Sequence, residues 1–318
     1  LVRLVFENMI LTVTPNPCVD KTVFIEELRV GAFMRCPRYA CIPGGKGTNV
    51  SRAVKNLGRQ TRALVLVGGH PGAHVVEMIE QQDGVPCTPV WVGDQTRTIT
   101  TVLEEKLHRQ TAFFEPGSRV TPEEARKLEE TFCSALDGAR VVTFNGTVPD
   151  PAINGIYERL VKCAADAGAI TILDSHGPEL KAGLDAAPYM CKPNIAEAEE
   201  LVGHRLDTDK KRLEAIGQLH EMGVKLVVLS LGKNGAIVSD GEKRLHATPP
   251  AVTEVNPVGS GDALVAGFAV GLMERMPLEQ TTRLAIAAGT ANAMSWDIGH
   301  FDPTQIDTLI PKINLRQL

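Results

Sequence analysis

No apolar run in this chain is long enough to span a bilayer; the longest, such as Lys225–Leu231, are strand-length. There is also no charge excess of the kind that draws a protein to nucleic acid or an anionic membrane. Formal charge is −5, from 33 Lys and Arg against 38 Asp and Glu, which leaves room only for a local basic pocket. Seven cysteines (Cys18, Cys36, Cys41, Cys87, Cys133, Cys163, Cys191) are scattered, and none forms Cys-x-x-Cys. A disulfide framework or zinc site is therefore not indicated, and buried free thiols in a reducing cytoplasm are the expectation. No G-x-x-x-x-G-K-[ST] occurs, and no G-x-G-x-x-G follows the first strand, so Walker-type and Rossmann dinucleotide readings fall away. Ser–His–Asp and Cys–His arrangements are missing as well. His70 and His74 share a glycine-rich stretch but have no acidic or cysteine partner at ligand spacing. The first eight residues lack a small-residue cleavage site, so no signal peptide is expected; Met9 reads as a natural start and residues 1–8 as an extension.

What remains is 318 residues, 43% of them apolar and 22% charged, a soluble globular composition with length for a substantial core. Strand-length apolar runs alternate with amphipathic helices. Ile10–Thr14, Arg62–Val67, Ala139–Phe144, Ala169–Asp174, Tyr189–Lys192 and Lys225–Leu231 read as strands, several without polar alternation, as when both sheet faces are covered. Helix punctuation is clear: Thr121-Pro-Glu-Glu124 carries an N-cap, a first-position Pro and a capping-box Glu. Asp150-Pro151 and Asp302-Pro303 repeat the cap-then-Pro signal, and Gly58 and Gly168 stand where C-caps belong. This alternation predicts an α/β fold, a three-layer α/β/α core around a parallel sheet. Two regions break the pattern. Residues 19–41 and 85–114 hold short β-rich pieces without helices, read as a small antiparallel β-sheet lid on a single domain of residues 9–314. Such a projecting sheet suits a substrate cover or a dimer surface.

The most informative segment is Asn256-Pro-Val-Gly-Ser-Gly-Asp-Ala-Leu-Val-Ala-Gly-Phe268. Gly259 and Gly261 flank Ser260 directly before a helix expected to run to about Arg275. Small residues let backbone N–H groups converge at a helix N-terminus, where the dipole also favours an anion. Asp262, in the first turn, can accept a proton from a substrate hydroxyl. Standing alone, the string would be a Gly-rich turn with an ordinary first-turn Asp. Near the other end, Pro43-Gly-Gly-Lys-Gly-Thr-Asn49 also opens a helix. Gly44 and Gly45 would let a sugar approach backbone, Asn49 could bond hydroxyls, and Lys46 could balance a phosphate.

Together the two segments resemble the paired signatures of the ribokinase (PfkB) family of carbohydrate kinases, over roughly Met9 to Ile313. Thr14-Pro-Asn-Pro-Cys-Val-Asp20 and the Gly-Gly-Lys-Gly core look like its branch of 1-phosphofructokinase and tagatose-6-phosphate kinase. The resemblance implies ATP as donor, Mg²⁺, a hexose-phosphate acceptor, a cytoplasmic enzyme and a homodimer through the lids. It implies that Asp20 contacts sugar hydroxyls, that Gly44, Gly45, Lys46 and Asn49 embrace the sugar phosphate, and that Arg97 of the Thr96-Arg97 pair clamps that phosphate. Thr147 would add a hydroxyl for phosphate. Asn194 and Glu197 of Lys192-Pro-Asn-Ile-Ala-Glu197 would organise Mg²⁺ through water, and also form a helix cap and its box. Ser230, Gly232 and Gly235 resemble the turn at the ATP phosphates, and Ala287–Asn292 the helix beside adenine, with Asn292 at the nucleotide. The implied reaction is in-line transfer with Asp262 as base, and Gly259, Ser260 and Gly261 as the anion hole.

The sequence departs from the branch at Ile99, where a polar Asn is usual, at Asn145-Gly-Thr-Val-Pro149 and at Asp174-Ser-His-Gly177. These leave kinase chemistry untouched and leave open the identity of the sugar: fructose 1-phosphate, fructose 6-phosphate or tagatose 6-phosphate. Two alternatives stand beside it, a kinase for an unphosphorylated sugar or nucleoside and a non-catalytic sugar-phosphate sensor. His176 reads as a solvent-facing loop residue.

Overall fold

A computed structural model describes residues 8–107 and 109–318. The extension expected at 1–8 therefore falls, for residues 1–7, outside the described residues. The central sheet starts from β1 (Met9–Thr14), every residue of which is buried. Ile10 points into one apolar layer and Leu11 and Val13 into the opposite one, so both faces of the strand are covered and even Thr12 and Thr14 are buried.

The chain next forms β2 (Cys18–Ile25) and β3 (Arg38–Gly44), then α1 (Lys46–Asn56), β4 (Thr61–Gly68), α2 (Gly69–Gln81) and β5 (Cys87–Val92). Two further short strands, β6 (Arg97–Glu104) and β7 (Arg109–Phe114), precede α3 (Pro122–Ala135) and β8 (Ala139–Asn145). Then come α4 (Ile156–Asp166), β9 (Ile170–Asp174), α5 (Gly177–Leu184), β10 (Met190–Cys191), α6 (Ile195–Val202), α7 (Asp209–Glu221) and β11 (Leu226–Ser230). A hairpin of β12 (Ala236–Ser239) and β13 (Arg244–Thr248) leads to α8 (Ser260–Met273), α9 (Leu278–Ala293), α10 (Thr304–Leu309) and β14 (Asn314–Gln317).

Ten strands form the main sheet in the order β14-β13-β12-β11-β10-β9-β8-β1-β4-β5, parallel from β11 to β5 and antiparallel from β11 to β14. One face is packed by α3, α4, α5, α6 and α7 through residues such as Phe132, Tyr157, Leu180 and Leu219. The other is packed by α1, α8, α9 and α10 through Val50, Phe268, Ala287 and Leu309. The protein is thus a three-layer α/β/α fold with a small separate sheet. Among the described residues no helix is long and apolar enough to cross a membrane.

The small sheet has the order β3-β2-β6-β7. It differs from the expectation in two ways. Its central pair, β2 and β6, is parallel, so the sheet is mixed and not antiparallel. Cys87–Val92, expected within it, instead forms the edge of the main sheet beside β4. A further feature concerns the cysteines: packing of α3 on α4 brings Cys133 beside Cys163, Cα–Cα 6.8 Å.

Candidate active site

The carboxyl ends of the parallel strands define one crevice, the place where an open α/β sheet offers a ligand site. Into it lead the chain after β1, the ends of β8 and β9, the residues after β10 and β11, and the N-termini of α1 and α8.

α8 begins at Gly259, whose φ of +80° places it in the left-handed region. A Cβ there would also stand 2.4 Å from Ile298 Cγ2, so only glycine fits the turn. Behind the turn, Asn292 donates through Nδ2 to the Val258 carbonyl at 2.8 Å and to Ser260 Oγ at 3.2 Å, and accepts from Gly299 N at 2.7 Å. Asn292 is 1% exposed. It was expected at the nucleotide; its hydrogen bonds lie beneath the Gly259–Gly261 turn and hold that turn's shape.

Ser260 and Gly261 border a cleft of about 740 Å³. Ser230, Gly232, Gly235 and Asn194 line its polar side, while Pro250, Leu264 and Ile286 line its apolar side. Gly289 and Thr290 of α9 close the wall. Backbone donors at a helix N-terminus beside an apolar slot suit a ligand that joins polyphosphate to a flat heterocycle.

Asp262 follows in the first turn of α8 and is 6% exposed. Burial, reinforced by the negative charge of Asp174, raises its carboxyl from 3.8 to about 6, against the pull of Lys46, Asn49 and Lys192. Asn49 Nδ2 donates to Asp262 Oδ2 at 2.8 Å, which joins the two glycine-opened helices across 213 residues. α1 enters through Gly45, where φ is +118° and a Cβ would lie 2.8 Å from Thr14 Cγ2.

Asp174, at the end of β9, lies between two lysines. Lys192 Nζ is 3.1 Å and Lys46 Nζ 3.4 Å from Asp174 Oδ1. Burial works to raise the Asp174 carboxyl, but the two ammonium groups outweigh it and hold it below the usual carboxylate value. Lys46 in turn is raised, chiefly by Asp174. Glu197 Oε1 stands 4.0 Å from Lys46 Nζ. The other Glu197 oxygen accepts from Asn194 N at 2.8 Å, while Asn194 Oδ1 accepts from Glu197 N at 2.9 Å, the capping box read from sequence. Asp174 Oδ2 is buried and without a partner. Among the described residues no three acidic, Cys or His side chains gather to ligate an ion directly, so the carboxylate oxygens of Asp174 and Glu197 fit only a cation that keeps its hydration.

The small sheet supplies the remaining wall. Asp20 on β2 pairs in register with Ile99 on β6, and Cys18 with Arg97. Side chains alternate along strands, so Asp20, Arg97 and Ile99 share a face. Asp20 is raised by burial, with Arg52 opposing. Arg97 donates through Nη2 to the Asn16 carbonyl at 3.1 Å, and its buried Nε has no acceptor. Asn16 Nδ2 reaches Thr147 Oγ1 at 3.2 Å. Gly44 ends β3 opposite Cys18, so the glycine loop enters beside Arg97 and Asp20. His176, the residue before α5, is exposed.

The profile of the pfkB family carbohydrate kinases matches residues 13–296. The chain belongs to this family. It is 30% identical over 310 residues to a 1-phosphofructokinase of Bacillus subtilis, covering 98% of this chain and 100% of that protein. It is also 30% identical over 310 residues to a tagatose-6-phosphate kinase of Staphylococcus epidermidis, covering 96% and 99%. Among solved structures, phosphofructokinase-2 of Escherichia coli in complex with fructose-6-phosphate superposes with a TM-score of 0.87 at 29% identity, covering 95% of this chain and 98% of that one. Arabidopsis thaliana ribokinase shares the fold, with a TM-score of 0.76 at 23% identity over 95% and 98%.

For this pfkB carbohydrate kinase, sequence reasoning overlooked Asp174, Lys192, Asn16 and Arg52 as parts of the site. Lys192 and Asp174 stood inside quoted motifs but read as strand ends. A charged residue closing an otherwise apolar parallel strand is the signal that could have found both.

Proposed function

We propose that the protein transfers the γ-phosphoryl group of ATP to a hydroxyl of a hexose phosphate, with Asp262 as general base. The observation that carries this reading is the 2.8 Å hydrogen bond from Asn49 to Asp262. It sets a buried carboxylate beside both the anion turn of Gly259–Gly261 and the glycine loop of Gly44–Lys46. A hydroxyl held at that loop would lose its proton to Asp262 as it attacks, while the backbone N–H groups of the turn face the charge that develops on the transferring group.

Arg97, Lys46 and Thr147 supply the sugar-phosphate side. The free donors of Arg97 favour a phosphorylated acceptor over ribose or a nucleoside, because a fork-shaped guanidinium matches a phosphate. The relatives named for 1-phosphofructokinase and tagatose-6-phosphate kinase support the same class. Asn194 and Glu197 would hold Mg²⁺ through water, and the ion would supply charge neutralisation on the phosphates. Ser230, Gly232, Gly235, Gly259 and Gly261 would line the nucleotide phosphates.

The small sheet reads as a lid over the acceptor and as the face for a second copy. Its outer strands are open edges, and Tyr39, Phe113 and Phe114 on them are 67%, 59% and 69% exposed. Pairing two lids would cover both.

The test is ATP turnover in a coupled ADP assay with Mg²⁺, across hexose phosphates, free sugars and nucleosides. Turnover with a hexose phosphate supports the reading and names the acceptor. Activity only with uncharged acceptors refutes the role of Arg97, and ATP binding without turnover on any acceptor favours a sensor.

A further inference from the structure

Arg52 stands on α1, one turn beyond Asn49, with 5% of its surface exposed. Its N–H groups go to four acceptors. Nε donates to Asp83 Oδ1 at 2.8 Å and Nη2 to the Pro43 carbonyl at 2.7 Å. Nη1 donates to the Ile298 carbonyl at 2.7 Å and to Asn49 Oδ1 at 3.3 Å.

These acceptors belong to different parts of the site. Pro43 opens the glycine loop on the sugar side. Ile298 is the residue packed against Gly259 in the anion turn. Asn49 is the donor to the base. A guanidinium only donates, so the amide oxygen of Asn49 is committed to Arg52 and its Nδ2 is turned towards Asp262. Asp83 alone could satisfy a buried cation, but it would account for one of the four bonds. The other three run inward, each to a segment that touches the reacting groups. A lysine in this place would keep the charge and lose the planar fork that reaches all of them.

We propose that Arg52 is a positioning residue for phosphoryl transfer: it acts by fixing the Asn49 amide as a donor to Asp262. The inference rests on the phosphoryl-transfer reading above.

Its test is a double-mutant cycle. Arg52→Lys is made alone and together with Asn49→Ala, and kcat is measured with ATP and whichever hexose phosphate the wild type turns over. Dissociation constants for ATP are measured alongside by calorimetry. Arg52→Lys should lower kcat about 10²-fold, the scale of an ångström of misplacement, with ATP affinity unchanged. In the Asn49→Ala background the same change should have little further effect, because the group through which Arg52 acts has gone. Asp83→Asn offers a second route that loosens Arg52 from outside, and it should lower kcat in the native background only. Equal losses in both backgrounds overturn the inference while leaving the kinase reading intact. So does a preserved kcat accompanied only by a lower melting temperature. A wild type silent with every hexose phosphate overturns the functional reading, and this inference with it.

Discussion

Replacing Asp262 by Asn should remove the base and, over part of the pH range, make the fold more stable. Burial first, then repulsion from Asp174, lift this carboxyl from 3.8 to about 6. A rise of roughly two pK units corresponds to about 3 kcal/mol. Between those two values the folded chain keeps a proton that the unfolded chain has released. Stability therefore falls as pH climbs through that window, and the full cost is in force above about 6. The variant's amide carries no charge and can still accept from Asn49. Its melting temperature relative to wild type should thus rise from pH 4 to pH 7, by about 5 °C for a chain of this size.

Over the same range the wild-type kcat should climb through an acid limb near 6, as Asp262 ionises. The variant should lose about 10²–10⁴-fold in kcat, which is roughly 3–5 kcal/mol of barrier. Thermal melts of both proteins from pH 4 to 9, run beside the coupled ADP assay, read both effects. A stability difference that does not vary with pH would refute the electrostatic account of the site. A kcat within tenfold of wild type would refute the base.

Arg97→Ala should raise KM for the hexose phosphate by about tenfold or more, the worth of a hydrogen bond to a charged group, and leave KM for ATP unchanged. Steady-state kinetics with each substrate varied in turn will show it, and equal effects on both substrates would contradict the clamp. Gly259→Ala forces a side chain into the left-handed region, at a cost of about 1–2 kcal/mol, and against Ile298. It should lower both melting temperature and kcat, and full activity would refute the anion turn. Glu197→Gln should raise the Mg²⁺ concentration needed for half-maximal rate, read by titrating the ion at fixed ATP, with the helix cap maintained by the amide oxygen. An unchanged Mg²⁺ dependence would remove Glu197 from the cation site.

Much of this architecture was legible because local signals and tertiary demands agree. The capping boxes at Thr121 and Asn194 form as their spacing requires. Strands buried on both faces announce themselves as unbroken apolar runs. β5 misled for a physical reason: it is the sheet edge, carries Pro89, and turns Trp91 outward at 42% exposure. Its alternation is that of a half-covered strand, the pattern a lid strand also shows. The parallel pairing of β2 with β6 was not legible, since 79 residues separate each pair of partners, such as Cys18 and Arg97. The hydrogen bonds of Asn292 to the Gly259–Gly261 turn were not legible, because a small-residue helix gives no sign of which side faces that turn. The pairing of Asp174 with Lys46 lay equally out of reach, as it depends on the N-terminus of α1 meeting the end of β9 across 128 residues.

On the proposed mechanism, that pairing would let a carboxylate serve as base among phosphates. Lys46 and Lys192 bring two positive charges to the crevice and pull the Asp262 carboxyl down against its burial. Asp174 neutralises part of that field from within the sheet, and its own carboxyl stays ionised because the lysines outweigh its burial. Its charge is also what, after burial, pushes Asp262 upward. One buried acid therefore does two things. It holds the two ammonium groups in place, and on the proposed mechanism it would keep the neighbouring base near the pH at which it must both accept and release a proton. On the proposed mechanism, a crevice with the lysines but without Asp174 would still attract phosphates, with Asp262 a weaker base.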